Sequence, residues 1–460
     1  MAYVGENIPH DSAAGHVTGR SMFLDDLPRV PGELLVSFVG SPFAHARIRS
    51  IDLEAARAIP GIAALLTARD VPGANRFGPV VHDEDLLASD EAVYLGQPIV
   101  LIAAGSQDAI EAARRAIRID IEELPAILSI EAAIAADSFL YPPRTIERGE
   151  VDATLASAPH QLGGELAIGG QEHFYLESHA AIVRPGEGRT FTVHSSTQHP
   201  SEVQAMVAEV MGVPYNHVTC LCKRMGGGFG GKETQAASPA MMAALVAGAT
   251  GRSARFVYSK DDDMRFTGKR HPFKAVYRAA FDEDGTILAL DVQLFSDGGC
   301  STDLSLAVLE RAMLHSDNAY YIPHFRVIGR VCRTNYPSNT AFRGFGGPQG
   351  IAVIENVIEE IARAVGRDAL DVRVRNCYGI HDRNVTPYGQ TVANNTLPEL
   401  FARLRVDSNY DLRRREIRKF NRQSRTHLRG MSLSAVKFGI SFTRRTLNQA
   451  NALVNVYTDG

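Results

Sequence analysis

The residues most able to do chemistry stand in one short stretch, Met225-Gly226-Gly227-Gly228-Phe229-Gly230-Gly231-Lys232-Glu233. A strand pattern, His217 to Lys223, leads into it and a helix pattern follows. Glycine lets the backbone take positive φ and come close to a ligand. Successive free N–H groups near a helix start cradle an anion or an oxo group. A tight turn needs fewer than the five glycines present here. Gly226, Gly228 and Gly231 satisfy G-x-G-x-x-G, but the surrounding chain lacks the doubly wound repeat that motif requires. Gly226, Gly231 and Lys232 fit the start of a P-loop, yet Glu233 stands where Ser or Thr should hold magnesium, and a carboxylate there repels phosphate. What remains is a loop presenting an aromatic ring, free amides and a carboxylate. An exposed Phe229 gains nothing unless it meets a ligand or a partner domain. Glu233 is a candidate for hydrogen bonding to a ring N–H or C=O, or else a helix-start carboxylate favoured by the helix dipole.

A second glycine-aromatic loop, Asn339-Thr340-Ala341-Phe342-Arg343-Gly344-Phe345-Gly346-Gly347-Pro348-Gln349, also precedes a helix. Arg343 offers a planar donor suited to an oxygen-rich ligand, or to a surface ion pair. Two such loops suggest a large, partly aromatic ligand held by backbone and ring faces. Arg311 interrupts an apolar stretch, and Gln198 follows the strand pattern Thr192 to Ser196. Glu172, His173 and Glu177 are dense enough to mimic a metal site. On a strand, however, Glu172 and His173 face opposite ways. The five cysteines, Cys220, Cys222, Cys300, Cys332 and Cys377, form no C-x-x-C, so no iron–sulfur or structural zinc pattern is present. Their scatter favours a reducing compartment over a disulfide framework.

These residues need a scaffold, and the pattern of the chain supplies one. Residues 1–135 read as an α/β unit with strands at Leu34–Val39 and Ile99–Ala103, a helix at Gln107–Ile117 and a strand at Arg118–Glu122. A linker is expected at 136–150, where Pro142 and Pro143 open a loop running to Glu150. Residues 151–410 form the next unit. It includes a helix bearing Met241, Met242, Leu245 and Val246, and a hairpin turning at Asp282-Glu283-Asp284-Gly285. A strong amphipathic helix spans Gly350–Val365. Residues 411–460 open with a basic run, Arg413 to Arg429, that reads as a solvated helix or linker face. Strands are expected at Leu433–Thr443 and Ala452–Thr458, the latter followed by an Asp459-Gly460 turn that normally leads into a partner strand. The overall class is α+β.

Of the 460 residues, 45% are hydrophobic and 22% charged, with a net charge of -4. That balance gives no reason to expect nucleic-acid or membrane binding, and no apolar run is long enough to span a bilayer. A cytoplasmic location is expected.

As a set, Gly169–Glu177, Ser195–Ser201, Met225–Glu233, Gly268-Lys269-Arg270-His271, Glu310–Met313, Asn339–Gln349 and Lys437–Thr443 resemble the xanthine dehydrogenase and aldehyde oxidase family of molybdenum hydroxylases. The resemblance implies an α/β hammerhead domain at 1–135 and molybdopterin-binding domains at 151–410 and 411–460, the last truncated. It implies a molybdenum–molybdopterin cofactor held by Gln198, Gly228, Phe229, Gly230, Phe342 and Arg343. Gln198 would bond an oxo ligand, and Phe229 and Arg343 would complete the surroundings of the metal.

Substrate would be held by Glu233, Arg311, Phe345, Phe442 and Thr443, with the two rings sandwiching a flat heterocycle. Glu233 and Arg311 would take part in catalysis, Arg311 by stabilising negative charge on the ring. That pair points to a purine, hypoxanthine or xanthine, rather than an aldehyde. An aldehyde oxidase-type enzyme and a truncated non-catalytic remnant are the alternatives. The resemblance further implies 2Fe-2S clusters and FAD on a partner subunit, and hence a hetero-oligomer. The general-base glutamate is expected beyond Gly460. Arg444, Arg445 and Asn451 depart from the family pattern beside Thr443.

Overall fold

The computed structural model describes residues 4–443, 448–450 and 452–458. The first part of the chain contributes β1 (Leu34–Gly40), β2 (Ala46–Asp52), β3 (Ile62–Leu66), β4 (Pro98–Ala104), α1 (Gln107–Ala116) and β5 (Arg118–Glu123). All seven positions of β4 are buried, as its unbroken apolar run predicts. Helix α1 starts at Ser106, whose hydroxyl accepts from the Ala109 N–H, and it buries Ala109, Ile110 and Ala113.

The next elements are β6 (Arg144–Arg148), β7 (His160–Ile168), β8 (Ala180–Pro185), β9 (Phe191–Ser195), α2 (Pro200–Met211), β10 (Val218–Leu221), α3 (Ala237–Thr250) and β11 (Ala254–Val257). They are followed by β12 (Phe273–Phe281), β13 (Ile287–Asp297), α4 (Ser305–Leu314), β14 (His324–Cys332), α5 (Gly347–Ala364) and α6 (Tyr410–Gln423). A seven-stranded sheet runs in the order β10-β9-β8-β11-β1-β4-β3. Its join between the early and later strands is parallel, with Leu34 opposite Ala254. A five-stranded sheet runs β7-β12-β13-β14-β6.

Each sheet carries its own core. Helix α3 packs under the seven-stranded sheet and is buried nearly all round, from Ala237 to Ala247, rather than on the single face its methionines suggest. Over the five-stranded sheet, Ile354, Ile358 and Ile361 of α5 meet Leu309 and Met313 of α4 and Val327 of β14. The hairpin at Asp282–Gly285 forms as expected: β12 and β13 pair antiparallel, and Gly285 takes φ 82°.

Three expectations fail locally. The loop expected at 141–150 contains β6, whose Ile146 sits opposite Val327 of β14; five residues of alternating pattern after two prolines are enough once a partner edge exists. The strands expected at 433–443 and 452–458 do not form. Among the described residues there, none joins a ladder, because an alternating segment becomes a strand only against a partner. Residues 171–176 are likewise irregular rather than a strand, with Phe174 at φ 52°. Arg444, Arg445, Asn451 and the Asp459-Gly460 turn lie outside the described residues. The basic run as far as Arg422 lies in α6, with exposed arginines and Arg414 paired to Asp368 at 3.0 Å, as a solvated helix face should; Arg425 and Arg429 follow it.

Candidate functional site

The two glycine loops lie side by side. The Arg343 N–H donates to the Phe229 carbonyl at 2.9 Å. Gly230, at φ 100°, leaves no room for a side chain: a Cβ there would stand 2.7 Å from the Ala341 oxygen. Phe229 and Phe345 themselves hold positive φ, 54° and 49°, an uncommon conformation for aromatic residues and a mark of a locally imposed shape. His173 closes the seam. Its Nε2 bonds the Ala341 oxygen at 2.7 Å and its ring lies 4.5 Å from that of Phe342.

Gln198 is gripped by the first loop. Its Oε1 accepts from the N–H groups of Gly230 (2.8 Å) and Lys232 (3.3 Å), so its amide nitrogen is the end left for a ligand. Among the described residues, the N–H groups of Gly227, Gly228 and Phe229 meet no acceptor. Three consecutive donors on a glycine backbone make an anion or oxo-group cradle. The positive surroundings agree. Arg343 is exposed and has no acidic partner among the described residues. Arg270 stacks on Phe342 at 3.8 Å, donates to the Arg343 carbonyl, and keeps a buried guanidinium nitrogen without a partner. Burial lowers its pKa to about 10. Arg270 stands in the Gly268–His271 stretch that carries the family resemblance, but no role follows for it from the sequence; only the neighbouring loop gives it one.

Sequence reasoning also missed what bolts the loop down. Lys232 does not reach outward as a P-loop lysine would. It is fully buried and donates to the Glu177 carbonyl (2.6 Å), the Ser178 carbonyl (3.3 Å) and the Ser196 hydroxyl (2.8 Å), with the Glu177 carboxylate at 3.4 Å. The same carboxylate accepts from the Gly226 N–H at 2.8 Å, so Glu177 binds both ends of the loop. Beneath it, Asp263 accepts from the Tyr175 hydroxyl (2.7 Å) and the His179 N–H (2.7 Å), while His179 Nε2 bonds the Gly231 oxygen at 3.1 Å. Glu177 and His173 are therefore supports of the loop, and among the described residues no cluster fit to hold a metal ion occurs.

Glu233 lies at the end of the same loop, facing the start of α2. Burial, and then the charge of Glu202, raise its pKa to about 7, against the opposing influence of His199. Arg311 lies elsewhere. It is 7% exposed on α4 and donates to the carbonyl oxygens of Gly439 and Ser441. Phe345 and Phe438 flank it, their centroids 5.6 and 5.3 Å from its guanidinium carbon. Phe345 and Phe442 meet edge to face at 5.3 Å and 69°. Rings gripping a flat heterocycle would stand parallel and roughly 7 Å apart, twice a van der Waals contact, so in this form they close on each other. Thr443 lines a cavity of about 300 Å³ with Tyr141, Arg144, Asp303, Leu306 and Glu310, and its buried hydroxyl has no partner. The structure thus gathers Gln198, Gly228, Phe229, Gly230, Phe342 and Arg343 in one place, and Arg311, Phe345, Phe442 and Thr443 in an adjoining one. Among the described residues no bond or ring contact joins Glu233 to Arg311.

A strand-to-glycine-loop cradle of this kind, rimmed by unpaired guanidinium groups, defines a protein that holds a large oxygen-rich, partly aromatic ligand. Comparison with known proteins gives that ligand a name. Residues 18–125 match the aldehyde oxidase and xanthine dehydrogenase a/b hammerhead domain, and residues 135–377 and 403–460 match molybdopterin cofactor-binding domains. The chain belongs to this family. It is 44% identical over 457 residues to xanthine dehydrogenase of Dictyostelium discoideum and 45% identical over 462 residues to that of Oryza sativa subsp. japonica. These alignments cover 99% of this chain but 33% and 34% of the relatives, so the chain spans about a third of their length. Among solved structures, it superposes with a TM-score of 0.83 on an aldehyde oxidoreductase from Desulfovibrio gigas, at 28% identity over 91% of this chain and 47% of that one. A quinoline 2-oxidoreductase from Pseudomonas putida 86 gives 0.82 at 25% identity, over 91% and 56%. The residues present fit a molybdopterin: three free backbone donors, a free amide nitrogen and two guanidinium groups without acidic partners among the described residues would suit an anionic, oxygen-bearing cofactor.

Proposed function

We propose that this chain forms part of a molybdenum hydroxylase acting on a purine, hypoxanthine or xanthine. The observation that supports it best is the convergence of both glycine loops on one donor-rich rim whose two arginines, Arg270 and Arg343, have no acidic partner among the described residues. In this reading Gln198, the amides of Gly228, Phe229 and Gly230, Phe342 and Arg343 bind and orient the cofactor. The bound molybdenum centre supplies oxygen transfer to carbon and accepts the electrons released. Glu233 hydrogen-bonds the substrate ring, Arg311 stabilises the negative charge developing on it, and Phe345, Phe442 and Thr443 orient it. Proton abstraction is assigned to no residue of the chain, Glu233 included. For Arg311 to reach substrate, the segment bearing Gly439 and Ser441 must release it and the Phe345–Phe442 contact must open. Iron–sulfur and flavin groups carried elsewhere in a cytoplasmic assembly would take up those electrons.

The purine reading draws on the Glu233 carboxyl and the Arg311 guanidinium, polar groups that an aldehyde does not require. The test is turnover of the molybdenum-loaded full-length protein with hypoxanthine, xanthine and benzaldehyde, in the native form and as Glu233→Ala and Arg311→Met. The expected result is purine turnover falling by at least tenfold in each variant while aldehyde turnover holds. Purine turnover unchanged in both variants would exclude the assignment and favour an aldehyde oxidase-type enzyme. Absence of molybdenum from the protein would favour a non-catalytic remnant.

A further inference from the structure

His179 is fully buried beneath the first glycine loop, and its partners fix where its protons sit. Ring Nε2 lies 3.1 Å from the Gly231 carbonyl oxygen, which only accepts, so Nε2 carries a proton. Nδ1 lies 2.8 Å from the Tyr175 hydroxyl and 3.0 Å from Asp263 Oδ1, and those two oxygens are 2.7 Å apart. The three atoms close a triangle of mutual hydrogen-bond contacts, to which Tyr175 brings one proton. If that proton points at Oδ1, the Nδ1 lone pair abuts two oxygens. If it points at Nδ1, the two oxygens abut each other. Either way a second proton is required. On its other oxygen Asp263 accepts the His179 backbone N–H at 2.7 Å, and a carboxylate with several donors stays ionised. Imidazole is intrinsically the stronger base of the two, so the second proton belongs on Nδ1. Burial by itself would raise the Asp263 carboxyl, yet hydrogen bonding from His179 and Tyr175 and the charge of His179 hold it well below the usual carboxylate range. The other groups around this pair are the edge-on ring of Tyr258, the cations of Lys232 and Lys260 over the Tyr175 ring, and Glu177 beside Lys232.

What the charge touches gives it a use. The Gly231 carbonyl belongs to the peptide unit whose N–H, that of Lys232, donates to Gln198 Oε1 at 3.3 Å. The Phe229 carbonyl, which accepts from the Arg343 N–H at 2.9 Å, belongs to the unit whose N–H, that of Gly230, donates to the same Oε1 at 2.8 Å. A carbonyl that accepts from a charged donor makes the N–H of its own peptide a stronger donor, and linked bonds polarise one another. We propose that His179, protonated on both ring nitrogens and paired with Asp263, is a positioning residue that polarises the Gly231–Lys232 peptide and through it the Gln198 amide, strengthening that amide's N–H as a donor to the cofactor's oxygen. This inference rests on the assignment of Gln198 to the cofactor and adds what sets the strength of its bond. A neutral histidine would hold the shape of the loop; an imidazolium holds the shape and also sets the polarity of the group the loop presents.

Neutron diffraction from crystals of the fully deuterated, full-length protein tests the proton count and needs no variant. Deuterium is expected on both ring nitrogens of His179 and on neither carboxylate oxygen of Asp263. A bare ring nitrogen, or a deuteron on Asp263, overturns the inference. The coupling is read from the reduction potential of the bound molybdenum in the same protein. Asp263→Asn offers Nδ1 an amide donor, so His179 keeps its bond to Gly231 but loses its charge. The potential should then shift downward, because a weaker donor to oxygen stabilises the electron-rich centre less. Tyr175→Phe removes the hydroxyl but leaves the His179–Asp263 pair, and the potential should stay at its native value. A role confined to holding the loop predicts lower thermal stability in both variants with the potential of the molybdenum-loaded fraction unchanged. That result overturns the inference, as does an equal shift in both variants. If Gln198→Ala itself leaves the potential unchanged, the placement of Gln198 at the cofactor fails instead.

Discussion

The glycine-loop cradle and the segment lying over α4 are held in opposite ways. The cradle is tied by buried side chains of its own neighbourhood: Lys232 to Glu177 and Ser196, His173 to Ala341, His179 to Gly231. The segment Ala435–Thr443 has no strand partner and is held by side chains that read its backbone. Asn318 binds Ala435 and Lys437, His315 accepts from the Gly439 N–H at 3.1 Å, and Arg311 takes the carbonyls of Gly439 and Ser441. Phe438 packs where a Cβ at Gly347 would clash at 2.6 Å, while Val436 and Ile440 remain 60% and 94% exposed. A cofactor needs a rim already in place, whereas a substrate must enter and leave. The cradle is preorganised, and in the proposed reading the substrate side depends on a strap that its own arginine holds.

Acid should separate the two regions most strongly. Burial lowers the pKa of His173 and His315 to about 4 and of His271 to about 3. Each is neutral when folded, and in the unfolded chain each titrates near 6.5. Between about pH 6.5 and 4 the unfolded chain therefore binds more protons, so stability is fully present above 6.5 and falls as pH falls. Three such groups give a slope of about 4 kcal/mol per pH unit near pH 5. Denaturant titrations at pH 7, 6 and 5 check this. His315→Gln and His173→Gln should each remove about a third of the slope. His315→Gln alone should expose residues 435–443 to protease, and equal exposure in both variants would erase the distinction between the regions.

Lys232→Met tests the cradle alone. It leaves Glu177 half-buried without its cation, and losing one partner of a buried pair costs about 3–5 kcal/mol. Thermal unfolding should shift accordingly and the molybdenum content of the purified protein should fall, while protease sensitivity of the strap stays native. Gly230→Ala is gentler and more local. Its positive φ and the approach to Ala341 cost about 1–3 kcal/mol, and the loops should part enough to weaken cofactor retention without general loss of fold.

Much of this was legible beforehand, for physical reasons that differ by element. Strand β4 declares itself because the apolar run Ile99–Ala103 fits a buried strand, and the Asp282–Gly285 turn because its geometry demands glycine. The cradle was legible because glycine in excess of a turn's needs is informative. Lys232 was not: beside glycine it imitates a phosphate-binding lysine, and its partner Glu177 lies 55 positions away. Arg270 was legible only as part of the Gly268–His271 stretch, with no role of its own, because that an arginine lacks a carboxylate partner shows only in the fold. The strands expected at 433–443 and 452–458 show the converse failure. Alternation is a property of the segment, but a ladder is a property of the pair.

The smallest effect expected is at Phe442, and it bears directly on the strap. Its edge contact with Phe345 is of a kind that contributes about 0.5–1.5 kcal/mol beyond burial. That contact helps hold the strap, and under the proposed reading the two rings must separate to admit a substrate. If the proposed reading holds, Phe442→Ala loses a resting contact and a substrate contact together. Stability should fall by about 1 kcal/mol, read from the denaturant midpoint, and KM for a purine should rise several-fold. Phe442→Leu restores bulk but not ring edge, and should recover most of the stability while leaving KM raised. If Leu restores KM as well, the ring acts only as packing for the strap, and the substrate side of the molecule is defined by Arg311 and Thr443 without it.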